Sequence, residues 1–184
     1  HGFSITWWYY IRCIYPLSGR GVYMIIVNYE GRTNSTERKV MDELSVLVSE
    51  KYFPRHKVQV TFKMMQSLEK NENIQGDTIW EDNDKEENEF FPSSRCSRPR
   101  CFTIRMQKGY DPETLITLIA HELVHVKQYV LGELRNIYNP HKIEYRTLYK
   151  NKDVTNWAYM KRPYEKEAYR LQEKLRVEYL KTHK

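Results

Sequence analysis

The segment that most restricts how this chain can fold is residues 112–130, PETLITLIAHELVHVKQYV. Asp111 just before it can cap a helix, Pro112 suits the first helical position, and Glu113 complements the positive end of the helix dipole. Apolar residues then recur on nearly every side of the helix that these signals start. A helix without a broad polar face has to be surrounded by other elements, so the rest of the chain must fold around it.

The segments before this helix predict strands and one further helix. Residues 24–29, MIIVNY, form a compact apolar run that is typical of a first strand. Residues 34–37, NSTE, have the spacing of a helix cap, and Pro54 ends the apolar periodicity that follows. Residues 57–65 and 101–108 alternate apolar and polar side chains, which is the period of a half-buried strand.

After the central helix the sequence predicts a strand or hairpin around residues 143–149 and a polar turn at 150–153. Pro163 opens a last helix, with an apolar stripe formed by Tyr164, Ala168, Leu171, Leu175 and Tyr179. We therefore expect an α+β fold in which a small mixed sheet packs against the helix at 112–130 and against this C-terminal helix.

The domain boundaries follow from changes of composition. Residues 1–23 carry a short apolar run without the basic start of a signal peptide, and two interpretations stay open. They are either a foreign segment, with the native start at Met24, or an aromatic extension that packs on the core. Residues 69–100 contain the acidic run 81–89 and the stretch PSSRCSRPR, and we expect a long surface loop there. The prediction is one domain over residues 24–184.

Composition excludes several classes of protein. The three cysteines, Cys13, Cys96 and Cys101, form no disulfide framework and are too few for a structural zinc site, which favours a reducing, cytoplasmic setting. No apolar run approaches the ~18 residues that a membrane span needs, and we expect no membrane contact. The glycines are scattered and form no phosphate-binding loop, so nucleotide-dependent chemistry is not expected. The sequence leaves the oligomeric state open.

The net charge of +6 admits an accessory contact with nucleic acid. The residues that would serve it are arginines near position 98 and tyrosines among the C-terminal Lys and Arg residues, namely Arg95, Arg98, Arg100, Tyr164, Tyr169 and Tyr179. Glutamates interrupt the C-terminal basic face, which favours an ordinary solvated helix there.

The chemistry of the chain is concentrated in His121-Glu-Leu-Val-His125, inside the central helix. Side chains four residues apart project from one face of a helix, so both imidazoles reach a single ion. Glu122 is displaced by about 100 degrees around the axis, which suits a carboxylate that acts on water beside the metal. The ordinary alternative is a structural pair of histidines that are satisfied by hydrogen bonds. The spacing predicts a metal site with its own base.

In this motif, and in the order of the elements around it, the chain resembles the zincin metallopeptidases. The resemblance is to small single-domain HExxH proteins with a glutamate third ligand, such as the SprT-like proteins of bacteria and phages, and it covers residues 24–65 and 101–181. It implies that His121 and His125 bind Zn²⁺, that Glu122 is the general base, and that a glutamate of the last helix completes the site. The implied activity is hydrolysis of a protein or peptide substrate in the cytoplasm, or in the host cytoplasm for a phage protein.

Two carboxylates of the last helix compete for the role of third ligand. Glu165 and Glu167 flank its apolar stripe at nearly equal angles, so periodicity does not choose between them. The resemblance favours Glu165, because glutamate zincins often place the ligand three residues before a small alanine, here Ala168. A further alternative leaves both as surface acids and takes the third ligand from His141 or Glu144.

The implied reaction also needs a group that stabilises the oxyanion, and the candidates are Tyr159, Tyr164 and His141. For each of them packing or surface exposure is the ordinary alternative. A third histidine at the metzincin spacing, a Cys-rich zinc module and a separate specificity domain are not present, so the resemblance implies no particular substrate. The competing function is a catalytically inactive binding or regulatory protein with a zincin fold, which could be associated with nucleic acid. Glu122 favours the peptidase, because a structural site needs no such base.

Overall fold

The structure is a computed structural model that describes residues 12–14, 24–81, 98–139 and 144–182. Its strands are β1 (Arg12–Ile14), β2 (Met24–Glu30), β3 (Lys57–Met65), β4 (Gly76–Trp80), β5 (Cys101–Gln107), β6 (Leu134–Asn139), β7 (Glu144–Tyr149) and β8 (Lys152–Asp153). Its helices are α1 (Ser35–Tyr52), α2 (Leu68–Glu72), α3 (Pro112–Val130) and α4 (Pro163–Thr182), and a short 3-10 turn (Tyr159–Lys161) precedes α4.

The larger sheet has five strands in the order β1-β2-β3-β5-β4. Strands β2, β3 and β5 run parallel, whereas β1 and β4 pair antiparallel at the two edges. Helix α1 forms the crossover that a parallel pair such as β2 and β3 requires. Helix α3 packs against both α1 and α4. This arrangement confirms the α+β class and the small mixed sheet beside the two predicted helices.

Helix α1 begins where the sequence predicts. The side chain of Asn34 accepts a hydrogen bond from the backbone N of Glu37 at 2.8 Å, and the Glu37 carboxylate accepts one from the backbone N of Asn34 at 2.8 Å. This reciprocal pair satisfies two of the donors that a helix start leaves open. Met41, Leu44 and Val48 are completely buried on the inner face, and burial of each contributes about 2 kcal/mol relative to exposure.

The alternation predicted for residues 57–65 is confirmed in β3. Val58, Val60, Phe62 and Met64 are buried on one face of the strand, while the intervening side chains are exposed or half-buried. The strand lies between β2 and β5, so both of its hydrogen-bonding edges are paired. Its position explains why a purely local pattern predicted it correctly.

Helix α3 is surrounded on most sides, as its apolar composition requires. Asp111 caps it by accepting hydrogen bonds from the backbone N of Glu113 at 3.0 Å and of Thr114 at 3.1 Å. Buried residues follow from Leu115 to Val130 around almost the whole circumference. Neither α3 nor another helix of the described segments is long and apolar enough to cross a bilayer.

The expectation of a loop over residues 69–100 is wrong for its first part. Helix α2 and strand β4 lie within it, and Asn73 turns the chain between them with a left-handed φ of 55°. Strand β4 is an edge strand with half-buried side chains, so it lacks the apolar alternation by which β3 was predicted. Its pairing with β5 is supported by Arg105, which donates two hydrogen bonds to Asp77, at 2.9 and 2.5 Å. Residues 82–97, which include Cys96 and most of the acidic run, lie outside the described residues.

The smaller sheet has the strand order β6-β7-β8 and confirms the hairpin predicted around residues 143–149. Lys150 and Asn151 form the turn between β7 and β8 with φ angles of 48° and 67°. Helix α4 follows and begins at Pro163 as predicted. The five residues of its expected stripe are all buried, namely Tyr164, Ala168, Leu171, Leu175 and Tyr179.

Part of the N-terminal segment belongs to the larger sheet. Strand β1 pairs with β2, with Arg12 opposite Val27 and Ile14 opposite Ile25. Residues 1–11 and 15–23 lie outside the described residues. Strand β1 is therefore an antiparallel edge strand of the larger sheet. It precedes Met24, where the first strand was predicted to begin.

Candidate metal centre

Helices α3 and α4 bring three side chains together at one point. The Nε2 atoms of His121 and His125 lie 3.1 Å apart, one helical turn from each other on α3. Oε2 of Glu165, at the start of α4, lies 3.4 Å from Nε2 of His121 and 3.5 Å from Nε2 of His125. All three residues are buried, with 8% of His121 and 6% of Glu165 exposed. This group could hold a metal ion.

The hydrogen bonds of the imidazoles leave their Nε2 atoms available as ligands. His121 Nδ1 lies 2.7 Å from Oε1 of Gln172, and His125 Nδ1 lies 2.9 Å from Oε1 of Gln128. An amide oxygen only accepts hydrogen bonds, so each Nδ1 carries the proton and donates. In the neutral rings both Nε2 lone pairs consequently face each other and the Glu165 carboxylate.

The Glu165 carboxylate also indicates a cation-binding site. Its buried Oε2 accepts no hydrogen bond from any residue that the structure describes. A buried acceptor without a donor costs free energy, and three electron-rich atoms this close repel one another. A divalent cation between them would remove both costs, and two imidazoles with one carboxylate are a donor set that suits zinc.

A proton can partly replace the metal at this position. Burial disfavours the charged form of His125, but the carboxylates of Glu165 and Glu122 outweigh it and raise the pKa of His125. Burial likewise opposes ionisation of Glu165, but the two adjacent imidazoles lower its pKa to about 2. The centre therefore attracts positive charge, whether from a proton or from a metal ion.

Glu122 lies beside the three ligand atoms and outside their group. It is only 4% exposed, and its Oε2 accepts a hydrogen bond from Oγ1 of Thr78 on β4 at 2.8 Å. A Cβ atom added to Gly76 would lie 3.3 Å from Glu122 Oε1, so the glycine leaves room for this carboxylate. Burial raises the pKa of Glu122 against the opposing charges of the two histidines. A carboxylate with a raised pKa is suited to accept and return a proton near neutral pH.

The contribution of β4 to the site was missed at the sequence level, because residues 69–100 were predicted to be loop. The only signal is weak: Gly76-Asp-Thr-Ile-Trp80 contains Thr, Ile and Trp, which are enriched in strands. A five-residue edge strand whose side chains are mostly half-buried does not produce a longer pattern.

Glu167, the alternative third ligand, points away from the histidines. Its carboxylate accepts hydrogen bonds from Lys127 Nζ at 3.2 Å, from Gln128 Nε2 at 3.0 Å and from Lys150 Nζ at 3.4 Å. Burial opposes its ionisation, but these donors outweigh burial and lower the pKa of Glu167. The structure thus brings Glu165, and not Glu167, to the two imidazoles.

The candidates for oxyanion stabilisation occupy different positions. Tyr159 lines the cleft in front of the centre and is 46% exposed, and burial of its hydroxyl end together with the neighbouring Glu165 carboxylate raises its pKa. Tyr164 is buried, and its ring packs 6.1 Å from that of His125. His141 and the side chain of Glu144 lie outside the described residues.

Tyr169 is a cleft residue that the sequence analysis placed only among surface tyrosines. Its ring centroid lies 4.9 Å from that of His121, and 44% of the residue is exposed. It follows Glu165 by four residues and therefore lies on the same face of α4. The four-residue spacing from Glu165 could have predicted that Tyr169 lies at the site. It is useful, however, only once Glu165 is taken as the third ligand.

The cleft has a volume of about 920 Å³ and leads from the surface to the three ligand atoms. It is lined by residues 73–78, by side chains of α3, and by Tyr159, Tyr169 and Gln172. Its charged lining residues are carboxylates and the two histidines, and no Lys or Arg of the described segments lines it. The charged groups around the candidate ligands are therefore acidic, apart from the two imidazoles.

The residues proposed for nucleic-acid contact have other partners in several cases. Arg100 donates a hydrogen bond to the carbonyl oxygen of Val130 at 3.1 Å, and the buried Tyr179 donates one to Glu43 at 2.8 Å. Arg98 is exposed, whereas Arg95 lies outside the described residues. Contact with nucleic acid stays a prediction.

Comparison with known proteins gave no independent assignment of this site. No protein-family model matches the chain, and no curated protein and no solved structure is similar to it. The geometry of the site is consequently the basis on which its function is inferred.

Proposed function

We propose that this protein is a zinc-dependent metallopeptidase in which His121, His125 and Glu165 hold Zn²⁺ and Glu122 is the general base. The observation that carries the proposal is the buried Oε2 of Glu165, which lacks a hydrogen-bond donor and faces two Nε2 atoms. We further infer that the mixed sheet and helices α3 and α4 form a zincin-like arrangement. Three protein ligands leave a coordination position open, which is typical of catalytic rather than structural zinc.

The residues of the chain have distinct roles in this mechanism. Bound zinc supplies a Lewis acid that polarises the scissile carbonyl and makes water more acidic. Glu122 takes the proton of the attacking water on its carboxylate and later delivers it to the departing amine. Thr78 orients that carboxylate through its hydrogen bond to Oε2.

Among the three candidates for oxyanion stabilisation, we assign the role to Tyr159. Its raised pKa keeps the phenol protonated, so it can donate a hydrogen bond to the developing charge. Both tyrosines line the cleft, but Tyr159 is 46% exposed, whereas Tyr164 is only 8% exposed and its ring packs against that of His125.

Two features support a peptide substrate. The first three residues of the edge strand β4 line the cleft, and in the described part of the chain only β5 pairs with this strand. An unpaired strand edge can form backbone hydrogen bonds with an extended peptide. A cleft without described Lys or Arg side chains is poorly suited to the phosphate backbone of a nucleic acid.

The test compares wild type with Glu122→Gln, which removes the base and spares the ligands. Both proteins are loaded with Zn²⁺ and incubated with a proteome-derived peptide mixture, and new N-termini are identified by mass spectrometry. We expect cleavage by wild type, loss of cleavage in the variant and one zinc per chain in both. Glu50→Gln, at an exposed position of α1, is the matched control and should cleave like wild type.

The same experiment separates the competing functions. Zinc in both proteins without cleavage by wild type would favour the inactive binding or regulatory protein. Cleavage that persists in Glu122→Gln would remove Glu122 as the base.

A further inference from the structure

Gln128 is a completely buried amide in the last turn of α3, three residues after His125. Its Oε1 lies 2.9 Å from His125 Nδ1, while its Nε2 donates to the carbonyl oxygen of Tyr164 at 2.9 Å and to Oε2 of Glu167 at 3.0 Å. A buried amide is costly unless its polar atoms are bonded, and here the oxygen and both N–H groups have partners. These partners determine which way the amide faces, since both acceptors lie on the nitrogen side.

Glu167 is in turn held by cations. The buried Lys127 donates to it at 3.2 Å and also bonds to Glu133, and Lys150, in the turn between β7 and β8, donates to it at 3.4 Å. Lys127 and Gln128 both donate to Oε2 of Glu167, so this oxygen is an acceptor that the Gln128 amide faces with its N–H side. A chain of contacts therefore extends from the small sheet through Glu167 and Gln128 to the candidate ligand His125.

We infer that Gln128 is the positioning residue of the metal centre, and that Glu167 acts through it. Gln128 holds the His125 proton on Nδ1, so that the Nε2 lone pair faces the ion. Through the Tyr164 carbonyl it also holds the helical turn that carries Glu165. If the amide turned over, its N–H groups would face Nδ1 and the ring would carry its proton on Nε2, where it cannot bind a metal.

Gln172 has the equivalent position for His121, but it comes from α4. The two imidazoles are thus oriented by amides from different helices, one on each side of the α3 and α4 interface. Partners of this kind usually change metal affinity by ~10- to 100-fold when they are removed. This inference depends on the metal-binding part of the proposed function and is independent of hydrolysis.

The experiment measures Zn²⁺ affinity by competition with a chelator, and it follows the imidazole protons of the zinc-loaded protein by ¹⁵N NMR. Gln128→Met keeps a side chain of similar length without hydrogen-bonding groups, and Gln66→Met is the control at an exposed position. We expect Gln128→Met to bind Zn²⁺ ~10- to 100-fold more weakly than Gln66→Met. The hydrogen-bonded Nδ1 proton of His125 should be lost or exchange rapidly, while that of His121 stays protected.

A rescue pair keeps the inference testable if Gln128→Met does not fold. Gln128→Glu retains an acceptor for His125 but places a carboxylate against Glu167, so Zn²⁺ affinity should fall. Adding Glu167→Gln supplies an amide that can donate to the new carboxylate and still accept from Lys127. The double variant should therefore bind Zn²⁺ at least ~10-fold more tightly than Gln128→Glu alone.

The possible outcomes distinguish the positioning role of Gln128 from the proposed peptidase activity. Equal Zn²⁺ affinity and an unchanged His125 proton in Gln128→Met overturn the positioning role, as does a double variant no better than Gln128→Glu. If wild type binds Zn²⁺ with both Nδ1 protons protected but cleaves no peptide, the proposed peptidase fails while the positioning role stands.

Discussion

Thr78 on the edge strand β4 donates a hydrogen bond to Glu122 on helix α3, with Oγ1 2.8 Å from Oε2. The two residues are 44 positions apart in the chain, and the bond joins the sheet to the proposed base of the reaction. Because it is directed at one carboxylate oxygen, it orients Glu122 relative to the cleft.

Replacing Thr78 by valine should reduce peptide hydrolysis about tenfold, less than the ~10²-fold that a 1 Å misplacement of a reacting group can cost, because Glu122 itself is kept. The substitution keeps the shape of the side chain and removes its donor. Zinc content should not change, since the Thr78 hydroxyl bonds to Glu122 and to none of the three ligand side chains. Steady-state kinetics with a peptide identified in the cleavage screen, together with elemental analysis, check this prediction. A variant as active as wild type would show that the hydrogen bond has no role in orienting the base.

Gly76→Ala should displace the Glu122 carboxylate by steric contact, without removing one of its hydrogen bonds. The added Cβ would lie 3.3 Å from Glu122 Oε1 and 3.2 Å from the carbonyl oxygen of Arg105, so the flexible carboxylate has to move. We expect hydrolysis to fall at least tenfold while zinc affinity stays within about threefold of wild type. An equal loss of both would mean that the substitution disturbs the whole site. Parallel measurements of kcat/KM and of zinc affinity separate the two outcomes.

Glu165→Ala and Glu167→Ala should differ strongly in zinc affinity. Glu165 faces both Nε2 atoms, so its removal eliminates a ligand and should weaken binding by orders of magnitude. Glu167 acts through Gln128, and its removal should cost only ~10- to 100-fold. Titration of each purified variant with Zn²⁺ against a chelator gives the comparison. The reverse order of affinities would move the third ligand to Glu167.

Zinc affinity should decrease as the pH falls. Metal and proton compete for His125, and the neighbouring carboxylates raise its pKa, so the free protein retains this proton to a higher pH than an ordinary imidazole would. Binding should be tightest above the pKa of His125 and weaken steadily below it. Glu165, with a pKa of about 2, should add to the loss only in strong acid. Zinc titrations between about pH 5 and 8, across the ordinary histidine range, measure the dependence. A Zn²⁺ affinity that does not change over this interval would exclude His125 as a ligand.

Local signals in the sequence correctly predicted the helices and strands that are specified by their own residues, without contacts to residues far away in the chain. Asp111 and Pro112 start α3, Asn34 and Glu37 start α1, and the alternation along β3 agrees with its burial. The i and i+4 spacing likewise placed His121 and His125 on one helical face, because that relation is a property of the helix alone.

The sequence by itself therefore placed the two histidines and the adjacent Glu122 on one helix, and it predicted the main helices and strands. Tertiary structure decided which of Glu165 and Glu167 faces the imidazoles, because both flank the same stripe and only the packing of α4 on α3 turns Glu165 towards them. It also decided the role of β4, whose weak local pattern becomes a strand only when it pairs with β5. The positions of the amides that orient the histidines also depend on tertiary contacts. Gln172 lies 51 residues from His121, and Gln128, although close to His125 in sequence, is held by groups 36 and 39 residues away. Hydrogen bonds between elements depend on how the helices dock, and that docking is set by the burial of the whole core rather than by any short stretch of residues.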